Sequence, residues 1–163
     1  MKFVSKNFPD YAIGVDNYQW AKIVKKTGIL QHFKLTRGLC GDASTVSFES
    51  VNSPGHFLKQ TKNTWLKLTE QKTTEEYKSK ASFKPIMGLF HDVRCLKFIM
   101  ILFFKINFDF FFYVIFSQGF VSFESVSLLG YLIRHADYRL GVHKGSGDVY
   151  EDNASFSISK KYI

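Results

Sequence analysis

Near the end of the chain, Arg134, His135, Asp137, Tyr138, Asp152 and Asn153 bring side chains that can do chemistry. Between them they supply a guanidinium, an imidazole, carboxylates, a phenol and an amide, all directional hydrogen-bonding groups. Taken singly, each has an ordinary reading. His135 alone is a strand or surface histidine, Asp152 and Asn153 are turn residues, and Asn153-Ala154-Ser155 is a glycosylation sequon that matters only in a secreted chain. Glycoside hydrolysis needs two carboxylates flanking the bond, and no such pair can be identified, so no catalytic residue is assigned. No metal or cofactor site is indicated. Cys40 and Cys95 are the two cysteines, too few for a disulfide framework.

The elements that position these residues are written twice in the chain. VSFESVNSPGHFLKQ begins at Val46, and VSFESVSLLGYLIRH begins at Val121. In that alignment Gly55 meets Gly130, Leu58 meets Ile133 and Lys59 meets Arg134. After one extra residue in the earlier copy, Leu66 and Leu68 fall on Leu140 and Val142, and Tyr77 through Phe83 falls on Tyr150 through Phe156. Val-Ser-Phe-Glu-Ser-Val alternates at period two, so Val46, Phe48 and Ser50 share one face of a strand. Ser53-Pro54-Gly55 is turn chemistry. His56-Phe57-Leu58, Trp65 to Leu68 and Ala81-Ser82-Phe83 complete four short strands per unit.

A weaker third copy opens the chain. Phe3-Val4-Ser5 echoes Val46-Ser47-Phe48, Asn7 to Tyr11 echoes Asn52 to Gly55, and Phe33-Lys34-Leu35 echoes Phe83-Lys84-Pro85. Four short strands cannot bury their apolar faces alone, so several units must close around one core. The expectation is an all-β fold, a β-trefoil of three four-stranded repeats at about residues 1–42, 43–92 and 119–163, forming a single domain.

The pattern of SFESV, a Gly turn, Arg134-His135, an acidic turn and a Tyr-to-Phe segment resembles the arabinose-binding domain of fungal α-L-arabinofuranosidase B. That resemblance implies a β-trefoil carbohydrate-binding module for arabinofuranose side chains. It implies a pocket built from the His of the Arg-His pair and an acidic residue of the Tyr-to-Phe segment, completed by aromatic neighbours. Carried over, the sugar-binding residues are Arg134, His135, Asp137, Tyr138, Asp152 and Asn153. Asn153 stands where the family has Asp, so it brings no charge and one carbonyl acceptor. In the middle repeat Lys59-Gln60 replaces Arg-His and Lys80 replaces the acid; a Lys has no acceptor, so that pocket is expected to be dead. The first repeat has no Arg-His pair.

Residues 93–118, VRCLKFIMILFFKINFDFFFYVIFSQ, interrupt the pattern, and eight of the 18 Phe lie there. Three readings compete. A transmembrane helix would carry Lys105 and Asp109 in mid-span at roughly 2.5–3.5 kcal/mol each, and it would split a closed fold. A buried insertion would be an uncommonly long loop. The preferred reading is a translated intron, because Val-Arg and Phe-Ser-Gln can encode splice-site sequences and removing the segment restores the family spacing.

The net charge of +8 comes from scattered lysines with no Lys/Arg cluster, which argues against nucleic acid. The opening MKFVSKNFPDYAIG has no apolar run of signal-peptide length, whereas the family's ligands are extracellular. The competing functions are a sugar-binding module with partly degenerate sites, a structural or protein-interaction trefoil without sugar binding, and a fragment of an arabinofuranosidase.

Overall fold

The computed structural model describes residues 1–27, 32–87 and 119–159. The first unit contributes β1 (Lys2–Ser5), β2 (Tyr11–Val15), β3 (Ala21–Lys25) and β4 (Phe33–Arg37). The second contributes β5 (Val46–Ser50), β6 (His56–Gln60), β7 (Leu66–Glu70), helix α1 (Glu75–Lys80) and β8 (Phe83–Met87). The third contributes β9 (Val121–Ser125), β10 (Leu132–Ala136), β11 (Arg139–His143), helix α2 (Asp148–Asn153) and β12 (Phe156–Ser159).

The first and fourth strands of each unit close a barrel. β1 pairs with β12, β12 with β9, β9 with β8, β8 with β5 and β5 with β4, all antiparallel. The remaining seam closes where the Met1 amine donates to Phe33 O at 2.9 Å and Phe33 N donates to Met1 O at 3.0 Å. Closure leaves no barrel edge unpaired. The second and third strands of each unit form hairpins across one end of the barrel. Their turns interlock in a cycle: Leu68 N donates to Gln19 O, Val142 N to Thr64 O, and Ile23 N to Tyr138 O, at 2.8 to 2.9 Å. This is a β-trefoil.

The period-two alternation puts Val46, Phe48 and Ser50 on the inner face, and all three are buried. On the axis three equivalent phenylalanines meet edge to face. Phe48 lies 4.9 Å from Phe3 and 4.8 Å from Phe123 between ring centroids, and Phe3 lies 5.8 Å from Phe123. Phe33, Phe83 and Phe156 begin or nearly begin the fourth strands and are equally buried.

The repeated letters are repeated hydrogen bonds. Glu49 Oε1 accepts from Gly55 N at 2.9 Å, and Glu124 Oε1 accepts from Gly130 N at 2.7 Å. Both glycines have φ near +80° (78° and 81°), where an L side chain is strained. Tyr77 Oη donates to Thr69 O, as Tyr150 Oη donates to His143 O. Ser82 Oγ donates to Lys78 O, as Ser155 Oγ donates to Glu151 O.

Two details correct the sequence reading. Residues 81–82 do not belong to a fourth strand; a short helix ends at Lys80, its N-cap Thr74 accepting from Tyr77 N, and the strand begins at Phe83. In the first unit the partner of Phe48 is Phe3, so Phe3-Val4-Ser5 aligns with Phe48-Glu49-Ser50 rather than with Val46-Ser47-Phe48. The hydrophobic segment 93–118, read above as a translated intron, lies outside the described residues. The chain leaves β8 at Met87 and re-enters at Val121 directly opposite it. Among the described residues no helix is long and apolar enough to cross a membrane. Cys40 is a free thiol; Cys95 lies outside the described residues.

Candidate functional site

The seam between the last and first units carries the candidate site. His135 is buried at the end of β10, 3% exposed. Its Nε2 lies 2.8 Å from Asn7 Oδ1 and 3.2 Å from Ser5 Oγ. Asn7 Nδ2 donates to Asn153 Oδ1 at 2.6 Å, so Asn7 Oδ1 is the acceptor and the proton sits on His135 Nε2. Ser5 Oγ also donates to Asn7 Oδ1 at 2.8 Å. One position earlier on each side of the seam, Lys6 Nζ pairs with Asp152 Oδ1 at 2.9 Å. Lys6-Asn7 and Asp152-Asn153 therefore form a two-rung clamp across the seam, and the neutral imidazole supports it from below.

Aromatic rings line one side. The Phe8 ring lies 5.4 Å from His135 and 5.6 Å from Tyr138, and Tyr11 lies 5.5 Å from Tyr138. Phe8 and Tyr138 are 37% and 48% exposed, large apolar faces left in water. Tyr138 is presented by a two-residue hairpin in which Asp137 and Tyr138 have φ of 48° and 63°. A type I′ turn asks for such angles and normally takes Gly or Asn. Gln19 and Thr64, the equivalents of Tyr138 in the other hairpins, have φ of 69° and 65°, so the left-handed angle at Tyr138 belongs to the turn of every repeat.

Burial, followed by the charge of Arg134, pushes the His135 pKa from 6.5 down to about 4. The imidazole is neutral throughout the physiological range, which fits the Nε2 proton of the network.

The structure thus brings His135, Tyr138, Asp152 and Asn153 to one cleft. Asp137 is exposed in the turn, and among the described residues no ion pair or side-chain bond joins it to the clamp. Arg134 is on the opposite strand face from His135, with its Cζ 5.6 Å over the Tyr150 ring. In the middle unit Lys59 Nζ lies 5.4 Å over Tyr77 in the same way. The cation therefore ties each second strand to its helix. Replacing Arg134→Leu is expected to lower stability by about 0.5–1 kcal/mol in chemical denaturation and to leave ligand binding unchanged. A large binding loss would move Arg134 back into the site.

Sequence reasoning missed Ser5, Asn7, Phe8 and Tyr11. The available signal was the Asn7/Asn52 echo; what it could not show was a contact between residues 128 positions apart. The seam between the second and third units shows the same geometry with different groups. Gln60 occupies the place of His135 and is 4% exposed, its Oε1 accepting from Ser125 Oγ at 3.1 Å and Ser127 Oγ at 2.9 Å. Lys80, in the place of Asn153, reaches back to Glu76 Oε1 at 2.7 Å.

Three like units closed around one core, with a buried polar side chain at two seams (His135 and Gln60) and Val15 in the equivalent place of the third, define a lectin-like β-trefoil. Residues 1–99 match the family model for the alpha-L-arabinofuranosidase B (ABFB) domain, and the chain belongs to that family of carbohydrate-binding modules. No curated protein sequence matches the chain. Among solved structures, a GH54 α-L-arabinofuranosidase soaked with a cyclic sulfate inhibitor superposes with a TM-score of 0.71 at 16% identity, covering 96% of this chain and 30% of that one. An arabinofuranosidase complexed with arabinofuranosyl-α-1,2-xylobiose gives 0.70 at 17% identity, with the same coverages of 96% and 30%. A BEL β-trefoil in an apo crystal form gives 0.60 at 11% identity, covering 96% and 90%. The chain therefore spans under a third of the arabinofuranosidases it resembles.

Proposed function

We propose that this module holds an arabinofuranosyl side chain of a polysaccharide in the cleft between its first and last repeats. The observation that carries the reading is the amide clamp of Asn7 and Asn153 over buried His135, walled by Phe8 and Tyr138. A furanose needs donors and acceptors on its hydroxyls and an apolar surface against its C–H face. The two amides and the Asp152 carboxylate supply the first; the exposed faces of Phe8 and Tyr138 supply the second. His135 is a positioning residue, since its Nε2 is occupied by Asn7 and Ser5. Family membership supports the sugar class, as does the related arabinofuranosidase that was complexed with an arabinofuranosyl-xylobiose. Hydrolysis, on this reading, belongs to the part of such enzymes that this chain does not span.

The second reading is a scaffold that binds no sugar. It is favoured by the middle seam, where Gln60 is sealed by two serines and Lys80 is paired within its own helix. We read that seam as closed to ligand.

Affinity electrophoresis in gels containing arabinoxylan or debranched xylan separates the two. The expected result is retardation on arabinoxylan alone. Tyr138→Ala, an exposed change that leaves the core intact, should weaken it by about tenfold, the cost of one lost ring face. His135→Ala should abolish it. Folded protein that migrates freely in both gels would leave the scaffold reading in place.

A further inference from the structure

We propose a second sugar site, on the pseudo-threefold axis at the hairpin end of the barrel, that takes a carboxylated sugar residue, a uronate. It stands apart from the seam cleft and does not rest on the arabinofuranose reading.

The hairpins of all three repeats enclose a cavity of about 330 Å³, within the roughly 300–1,000 Å³ of small-molecule pockets. Its floor explains its existence. Ala21, Leu66 and Leu140 are equivalent residues of β3, β7 and β11, and all three are buried. The first repeat has Ala where the others have Leu, so the floor is short of one isopropyl group and the axis opens on that side.

The walls have the chemistry of a sugar site with a charge preference. Trp20 and Trp65 precede β3 and β7 and line the cavity. Lys67 Nζ lies 4.9 Å from the Trp20 ring centre and covers one face, yet Trp20 stays 38% exposed. Gly141 makes room for Trp65: a Cβ there would stand 2.9 Å from Trp65 Cε3. Asn63 adds an amide beside the indoles. Indole faces cover the C–H face of a pyranose, and amides bond its hydroxyls.

Charge then selects the sugar. Asp16 is spent internally, with Lys22 Nζ on Oδ2 at 2.8 Å and the Tyr18 and Trp20 amides on Oδ1 at 3.0 Å. Arg139, in the third wall, is exposed, and among the described residues no carboxylate pairs with it. The cavity therefore keeps a net positive charge whose fork fits a carboxylate bidentately.

The chain has two tryptophans and both line this cavity, so fluorescence excited at the red edge, where tryptophan absorbs and tyrosine does not, reports on it. The full chain would be titrated with methyl β-D-glucuronide, methyl β-D-glucoside and acetate. The expected result is saturable change with the glucuronide at an affinity about tenfold above the glucoside, the value of one charge-assisted hydrogen bond, and none with acetate. Arg139→Gln should erase the preference for the glucuronide. Ala21→Leu, which rebuilds the floor of the other repeats, should abolish the response. Leu129→Ala, at a side chain 81% exposed outside both sites, should leave it unchanged. Equal response to the neutral glucoside, equal response to acetate, or no response from protein with a native circular dichroism spectrum would each overturn the proposal.

Discussion

Acidification from pH 7 to pH 4 lowers the unfolding free energy by as much as ~3 kcal/mol through His135 alone, and His135→Gln removes that part of the loss. The folded pKa of about 4 lies below the ordinary 6.5 of the unfolded chain. Between those values the unfolded chain binds a proton that the folded one refuses. Stability from this group is complete above pH 6.5 and drains away as pH falls toward 4. The protein itself suggests the replacement, since Gln60 fills the equivalent place and bonds two hydroxyls there. A glutamine at 135 can donate to Asn7 and never charges. The measurement is urea denaturation of both proteins at intervals across that range. Curves that fall in parallel would show that His135 is not held neutral by the fold.

The larger effect is in the core. Phe48→Ala is expected to cost about 3–5 kcal/mol, a large share of the roughly 5–15 kcal/mol that holds a domain folded. The ring touches its counterparts Phe3 and Phe123 and lies 5.8 Å from Phe83 and 6.3 Å from Phe33. Interior packing is dense and relaxes only in part, so truncation leaves a void shared by all three repeats. Leu129→Ala, at a side chain 81% exposed, is the control and should change little. A midpoint shift for Phe48→Ala equivalent to under ~2 kcal/mol would mean that the axis can collapse around the gap.

Much of this architecture could be read from the chain because its units repeat. VSFESV announces a strand by alternation, and its recurrence announces a shared core; Phe48 and Phe123 were on the buried face by that argument alone. The short helices were hidden for a physical reason. EEYKSK and DVYEDN are six residues each, too short to display a helical period, and they bury a single tyrosine apiece. The first repeat was hard to register because β1 shares few identities with β5; it is the meeting of Phe3 with Phe48 that fixes it. The seam cleft was half legible. Resemblance pointed to His135 and its neighbours, but Asn7, which links His135 to Asn153, lies at the far end of the chain. Nothing local marks a contact of that span. The turn at Asp137-Tyr138 also gave no warning, since neither residue is the glycine that its backbone angles favour.

The seam between β1 and β12 has a mechanical consequence. The ladder runs from Lys2 opposite Ser159 inward to Ser5 opposite Phe156. Tension applied to residues 2 and 159 would load these pairs one after another, like a zip, and not all together in shear. The Lys6–Asp152 and Asn7–Asn153 bonds are the next teeth beyond the strands. The arabinofuranosyl side chain proposed for this cleft would sit where the tear must pass, so on that proposal the load needed to open the barrel would rise when the ligand is bound.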